Sequence, residues 1–446
     1  MQLLRQLPKI DKLLSNKAFE TLHVKRVTKI AREVIDTLRQ NIIDGKIKSI
    51  NEEEIIADIL EKYHKTLAPS LKPLINATGV IVHTNLGRSC INETLLERAK
   101  EAIINYSNLE YDLKEGKRGE RYEHVSSHLR ELLGVEDVLV VNNNASAVFL
   151  ILNTFAKNSG CVVSRGELVE IGGSFRVPDV MSQSGAKLVE VGTTNKTRIA
   201  DYENAINENT SMLMKVHKSN FSIEGFSEEA DFKEIVELAC KNGLIDYYDL
   251  GSGYIDELPF GLSLSEPPLK KLLEYKPSLI SFSGDKLLGS VQAGIIVGKK
   301  ELIAKLKKNQ LLRMLRVDKI TLAILEESIK AYLNDEMELI TTINLLHKTQ
   351  DDLHVKANKI RDFIGEKYCE VIESVTYVGG GTMPNRKIPT VALHVKGNAK
   401  ELERLFREKL IIGRIENDEF LLDLRSVKEE DENMIIEKAR EIVCDN

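Results

Sequence analysis

Three stretches of this chain carry residue types able to do chemistry together. Ser281-Phe-Ser-Gly-Asp-Lys-Leu-Leu-Gly-Ser290 sets Lys286 between an apolar run ending in Leu279-Ile280 and a second run, Ala293-Gly-Ile-Ile-Val297. A lysine in a partly desolvated crevice has a lowered pKa, and its neutral amine can form a Schiff base. Asp249 follows the run Leu244-Ile-Asp-Tyr-Tyr248 and precedes Leu-Gly-Ser-Gly253. A carboxylate there, among small residues, can press against a flat heteroaromatic ring and keep its nitrogen protonated. Asn142-Asn-Asn-Ala-Ser-Ala147 follows Val138-Leu-Val-Val141 and opens the apolar helix Val148-Phe-Leu-Ile-Leu152. Free backbone N–H groups at such a helix start, with the helix dipole, favour a phosphate. The stretch is neither GxxxxGK[ST] nor GxGxxG, which turns the reading away from a nucleoside triphosphate or a dinucleotide. Singly, the three are ordinary structure: a solvated lysine, a carboxylate capping a turn, an Asn-rich helix cap. Together, in the order phosphate loop, acid, lysine, they are what a pyridoxal phosphate site of the aspartate-aminotransferase type requires.

The elements that must position them are legible from hydrophobic pattern. From about residue 74, short β-rich runs alternate with helical stretches: Val138–Val141, Cys161–Val163, Lys187–Val191, Met212–Val216, Leu244–Tyr248 and Ser278–Phe282. Continuous apolar strands between helices predict a mostly parallel sheet covered on both faces, with ligands at the carboxyl ends of its strands. After a helical region near Asp318 to Leu333, roughly 110 residues read as a smaller α/β domain. Ahead of the sheet, Val27, Ile30, Val34, Leu38 and Ile42 recur at helical spacing within Lys25 to Ile43. Ser49-Ile-Asn-Glu52 has the form of a capping box before a second helix, and Pro69 and Pro73 then break helical continuity. The expected organisation is a helical, basic unit over 1–65, a linker over 66–73, a large catalytic α/β domain over 74–330, and a small α/β domain over 331–446.

At 446 residues with 42% hydrophobic content, the chain can build a deep, dry site in two or three domains. No apolar run approaches the roughly 20 residues that span a bilayer. The N-terminus Met1-Gln-Leu-Leu-Arg-Gln-Leu-Pro-Lys9 lacks the h-region and cleavage site of a secretory signal, so a cytoplasmic location is expected. Cys90, Cys161, Cys240, Cys369 and Cys444 form no CxxC pair, which argues against a zinc ribbon or a disulfide framework. His124 and His128 have metal-pair spacing but no carboxylate between them of the HExxH kind, and no metal is expected. The net charge of -6 is unevenly placed: residues 1–50 hold 11 Lys and Arg against 5 Asp and Glu, the rest 51 against 63. The basic end is either a polyanion contact or a solvated helical face.

Longer stretches carry a family resemblance. Ile75-Asn-Ala-Thr-Gly-Val-Ile-Val-His-Thr-Asn-Leu-Gly-Arg88, Asn108-Leu-Glu-Tyr-Asp-Leu113, Ser164-Arg-Gly-Glu-Leu-Val-Glu-Ile-Gly-Gly-Ser-Phe-Arg176, Val191-Gly-Thr-Thr-Asn195 and Ser283-Gly-Asp-Lys-Leu-Leu-Gly289 resemble the bacterial selenocysteine synthase family, L-seryl-tRNA(Sec) selenium transferase. The resemblance runs over essentially the whole chain. It implies a fold-type I pyridoxal phosphate enzyme assembled as a ring of dimers, a decamer in the family, with an N-terminal domain that binds tRNA. The implied reaction converts L-seryl-tRNA(Sec) to L-selenocysteinyl-tRNA(Sec) with selenophosphate, by β-elimination to an aminoacrylyl intermediate and addition of selenium.

Carried over by motif, the resemblance makes Lys286 the Schiff-base lysine and Asp249 the partner of the ring nitrogen. Asn144, Ala145 and Ser146 fall in the phosphate loop, and His217, after the strand Met212 to Val216, contacts the cofactor ring or is a structural histidine. Arg88, Arg121, Arg313 and Arg316 correspond to arginines around the anionic selenium donor. Guanidinium forks suit phosphate-like oxyanions, and Arg313 and Arg316, at i and i+3, can share a helix face. The family motif usually continues Leu-Leu-Gly-Gly-Pro-Gln-Ala-Gly, where this chain has Ser290 and Val291. The alternative is a pyridoxal phosphate lyase or aminotransferase acting on a free small amino acid or amino sugar, which has no need of a basic helical unit.

Overall fold

In the computed structural model, which describes residues 3–171, 175–218, 221–223, 225–264, 266–379, 382–383 and 386–444, the apolar runs are strands of one seven-stranded sheet. These are β1 Asp137–Val141, β2 Gly160–Ser164, β3 Lys187–Val191, β4 Thr210–Val216, β5 Ile245–Gly251, β6 Leu279–Ser283 and β7 Gly294–Gly298. They lie in the order β1-β7-β6-β5-β4-β2-β3. β7 is antiparallel to both its neighbours and every other pairing is parallel. Gly172, Gly173 and Ser174 of the family stretch lie outside the described residues.

Strand alternation divides the sheet's side chains between two cores. Val138, Val140, Leu213, Tyr248, Ile280, Phe282, Ile295 and Val297 pack on one face. Leu139, Val141, Met212, Met214, Tyr247, Leu279 and Ile296 pack on the other, with Ala147, Val148, Leu150 and Ile151. The latter come from α3 (Asn144–Phe155). Because successive side chains on a strand alternate, Asp249 projects on the same face as Tyr247, toward the start of α3. A covered sheet therefore delivers a carboxylate to a helix N-terminus.

The strand directions place the ends of β4, β5 and β6 together, and β6 turns back into β7 through the loop 284–293 that carries Lys286. Residues 284–290 of that loop are buried. Gly289 has φ +75°, and an added Cβ would meet Ile340 Cγ2 at 2.5 Å, so only glycine fits. Ser290 donates its hydroxyl to Ser328 Oγ at 2.7 Å. That contact ties the loop to α5 (Lys319–Leu333). Gly253, with φ +59°, backs onto Phe282 so closely that an added Cβ would lie 2.5 Å from that ring's Cβ.

Chain packing separates residues 1–73 from 74–446. The first unit holds α1 (Val24–Ile43) and α2 (Glu52–Leu67) around Leu13, Phe19, Val27, Ile30, Val34, Ile55, Ile59 and Tyr63. The capping box expected at Ser49 does not form. Helix α2 begins at Glu52, so Asn51 is the N-cap, its side chain accepting from Glu53 N at 2.9 Å. Asn caps as well as Ser, and Glu52, Glu53 and Glu54 complement the helix dipole. In the second unit, β8 (Cys369–Tyr377), β9 (Lys387–Val395), β10 (Arg414–Glu416) and β11 (Glu419–Asp423) make an antiparallel sheet ordered β8-β9-β11-β10. Helix α5 runs across the boundary expected at 330. No described helix is long and apolar enough to cross a membrane.

Candidate active site

Lys286 and Asp249 are 8% and 5% exposed. Burial lowers the Lys286 amine below the ordinary lysine value, against the pull of Asp249 and with the added push of Arg88. Burial raises the Asp249 carboxyl, opposed by a hydrogen bond from Asn144 and by the charge of Lys286. Asn144 Nδ2 donates to Asp249 Oδ1 at 2.7 Å, joining the helix start to the strand end. Asn143 caps α3 by accepting from Ser146 N at 2.8 Å, so that amide is taken. Asn144 and Ala145 are the first helical residues, whose N–H groups no intrahelical carbonyl can reach.

His217 follows β4, and its N–H donates to Asp249 O at 2.9 Å. Its Nε2 lies 2.9 Å from Glu266 Oε2, within ion-pair distance, and neither atom has a hydrogen-bond partner among the described residues. Glu266 is fully buried, and Ser252 Oγ donates to its other oxygen. Asn142 Oδ1 and Asn144 Oδ1 are also buried without a partner. Native interiors leave few such groups, and among the described residues the ones on Asn142, Asn144 and His217 follow the ends of β1 and β4, with another on His83 Nδ1.

The arginines fall into two places. Arg88 has φ +64° and donates to Asp285 Oδ2 at 2.6 Å. Ser89 Oγ donates to the carbonyls of Asp285 and Lys286 at 2.9 and 2.7 Å, so the turn after His83 clamps the lysine's backbone. Arg121 and Arg316 both meet Glu110. Arg316 is next to the turn that opens α3 through the bridge Val141–Arg316 and the bond from Asn142 N to Leu315 O at 2.9 Å. The shared helix face that the spacing allows does not form. Helix α4 (Leu312–Leu315) stops short of Arg316, which, with ψ 145°, has turned into an extended path that pairs with β1. Arg313 is exposed on α4 (Leu312–Leu315) and has no ion pair among the described residues.

Three acids escaped the sequence reading as site residues: Asp285, Glu110 and Glu266. The first two sit inside the quoted family stretches, so their signal was present. Glu266 precedes Pro267-Pro268 and reads as surface, because only tertiary packing buries it. His124 and His128 part company, His124 Nε2 lying 3.3 Å from Asn108 O and His128 Nε2 3.6 Å from Glu326 Oε1.

The family model of L-seryl-tRNA selenium transferase matches residues 74–428. The chain belongs to that family. Among relatives of the same name, L-seryl-tRNA(Sec) selenium transferase, that of Aliarcobacter butzleri is 58% identical over 97% of this chain and 96% of its own. That of Sulfurimonas denitrificans is 58% identical over 99% of both, and that of Nautilia profundicola 56% over 99% and 98%. The solved structure of D-glucosaminate-6-phosphate ammonia-lyase superposes with a TM-score of 0.62 at 20% identity, over 86% of this chain and 98% of that one. It shares the α/β fold, here of fold type I. The L-seryl-tRNA selenium transferase family is one of transferases, and the chain is an enzyme of that class.

Proposed function

We propose that this chain converts L-seryl-tRNA(Sec) to L-selenocysteinyl-tRNA(Sec), with pyridoxal 5'-phosphate as cofactor and selenophosphate as selenium donor. The observation that carries it is the buried Lys286–Asp249 pair at the strand ends, joined to the half-buried Asn144, in a chain of the selenium transferase family. The residues present fit the cofactor. A buried amine with a lowered pKa, a buried carboxylate steadied by an amide, and unsatisfied polar atoms on Asn142, Asn144 and His217 match its carbonyl carbon, ring nitrogen and polar substituents.

When bound, pyridoxal phosphate supplies an electron sink for charge developing at the substrate's Cα. Lys286 would hold it through the amine, and the same amine would carry the proton of the substrate's Cα. Asp249, held by Asn144, keeps the ring nitrogen protonated, which makes the sink effective. His217 stands beside Asp249 as a ring contact, and Asn144, Ala145 and Ser146 form the phosphate loop. Arg88, Arg121, Arg313 and Arg316 hold selenophosphate while the β-hydroxyl of serine is replaced by selenium and phosphate leaves.

Residues 1–65 would bind the tRNA, residues 66–73 link, residues 74–330 carry the catalysis, and residues 331–446 form the small domain. A reaction on aminoacyl-tRNA belongs in the cytoplasm. Assembly into a ring of dimers is what membership of the family leads us to expect, and a second copy would cover the exposed Tyr106, Leu113 and Met314.

The test supplies seryl-tRNA(Sec), seryl-tRNA(Ser) or free serine, each with selenophosphate, and identifies the product. Selenocysteine on tRNA(Sec) alone is expected, and conversion of free serine by itself would replace this reading with a small-molecule lyase. Lys286→Ala is expected to abolish turnover and the visible absorbance of the bound cofactor while the fold persists.

A further inference from the structure

Glu110 stands at the centre of the second arginine cluster. Its Oε1 accepts from Arg121 Nε at 2.9 Å and from Arg121 Nη2 at 2.7 Å, and lies 3.7 Å from Arg316 Nη1. Its Oε2 accepts from Arg118 Nη2 at 3.2 Å. Arg121 is fixed from its other side as well, where Nη1 donates to Val317 O at 2.8 Å. A guanidinium has five N–H donors. Three are engaged by Glu110 and Val317, and two remain on a side chain only 14% exposed. Arg316 is 44% exposed and is drawn toward the same carboxylate oxygen. Its backbone pairs with Val141, one residue before the phosphate loop begins.

A carboxylate among arginines has two opposite meanings. As a resident anion it competes with the ligand, and its removal tightens binding. As a bracket it uses the reach of its acceptor oxygens to orient the guanidinium, and its removal loosens binding. The geometry favours the bracket. Glu110 engages the Nε–Nη2 edge of Arg121, and Val317 O restrains Nη1, so a ligand using the remaining N–H groups need not displace either.

We propose that Glu110 is a positioning residue that aligns Arg121 and holds Arg316 beside it, so that their remaining N–H groups converge on one phosphate-class oxyanion, the selenium donor. The inference rests on the reading that these arginines bind that donor. The cofactor's own phosphate has the same chemistry, so the test separates the two sources.

The experiment titrates inorganic phosphate, by calorimetry, into the full-length, cofactor-loaded protein, and measures cofactor release in parallel. Glu110→Asp keeps the charge but withdraws the oxygens by one methylene; Glu110→Gln keeps the reach and the acceptor but removes the charge. Positioning predicts that Glu110→Asp and Glu110→Ala weaken phosphate binding by about tenfold or more, as a misplaced clamp does. Glu110→Gln is expected to bind within about twofold of wild type, with cofactor release unchanged in all three. Tighter binding by Glu110→Ala and Glu110→Gln overturns the proposal in favour of a competing anion. Faster cofactor release without a change in phosphate binding overturns it in favour of the cofactor's phosphate. Should Arg121→Ala bind phosphate as wild type does, the donor reading itself fails, and the role of Glu110 fails with it.

Discussion

Burial acts on Lys286 and Asp249 in the same sense, pushing each toward its neutral form. For Lys286 the consequence is kinetic and thermodynamic. The neutral amine is the nucleophile that captures a carbonyl, and a lowered pKa keeps more of it available at neutral pH. Its folded pKa lies below the unfolded value, so the unfolded chain binds more protons between the two. Stability of the cofactor-free protein therefore rises with pH across that window. The rate of pyridoxal phosphate uptake is expected to rise with pH and level off below the ordinary lysine value of about 10.4. Asp249 opposes the shift of Lys286, so Asp249→Asn should move the plateau to lower pH while turnover falls by about a hundredfold or more. Stopped-flow absorbance over a pH series measures the first, and steady-state turnover the second. A plateau at the ordinary lysine value would mean that the amine is not desolvated.

At the scale of elements, the site depends on where β4 stops. Glu167, from the turn after β2, is 3% exposed, and its Oε2 accepts from Val216 N at 2.9 Å, one residue before His217. Its Oε1 accepts from Lys215 Nζ at 3.1 Å. Burial alone would lower Lys215, but Glu167 and Glu229 outweigh it and hold the ammonium above the usual lysine range. Glu167→Ala leaves that buried charge short of a partner and is expected to cost about 3–5 kcal/mol, seen as a lower urea midpoint. Glu167→Leu with Lys215→Met should recover most of it, because the pair's own net contribution is small. A midpoint unmoved by Glu167→Ala would show that Glu229 alone suffices. What sequence made legible here follows from the same physics. Runs such as Val138–Val141 are apolar on both faces because both faces are covered, so the strands and their order of chemistry could be read directly. Arg316 could not be placed, since i, i+3 spacing assumes a helix that in fact ends at Leu315 to pair with β1. Glu266 was invisible because a local pattern says nothing about burial imposed by distant segments.

The whole chain divides its charge as it divides its packing. Residues 1–73 fold around their own apolar core, and the basic excess of 1–50 falls within that unit, against an acidic remainder. On α1, Lys25, Lys29 and Arg32 are exposed at helical spacing, which sets three cations along one face. If that face binds the tRNA backbone, each cation lost should reduce the slope of log affinity against log salt by about one, through released counterions. Changing all three to alanine in the full chain is accordingly expected to weaken tRNA binding uniformly across tRNAs and flatten the salt dependence by about three. Cofactor uptake should stay as in wild type, because Lys286, Asp249 and Asn144 belong to the other unit. Filter binding over a salt series reads the slope, and absorbance of the bound cofactor reads uptake. An unchanged slope would make the basic face a solvated helix surface and move the tRNA contact elsewhere, whereas a loss confined to tRNA(Sec) would mean that α1 reads a feature of that tRNA rather than its charge.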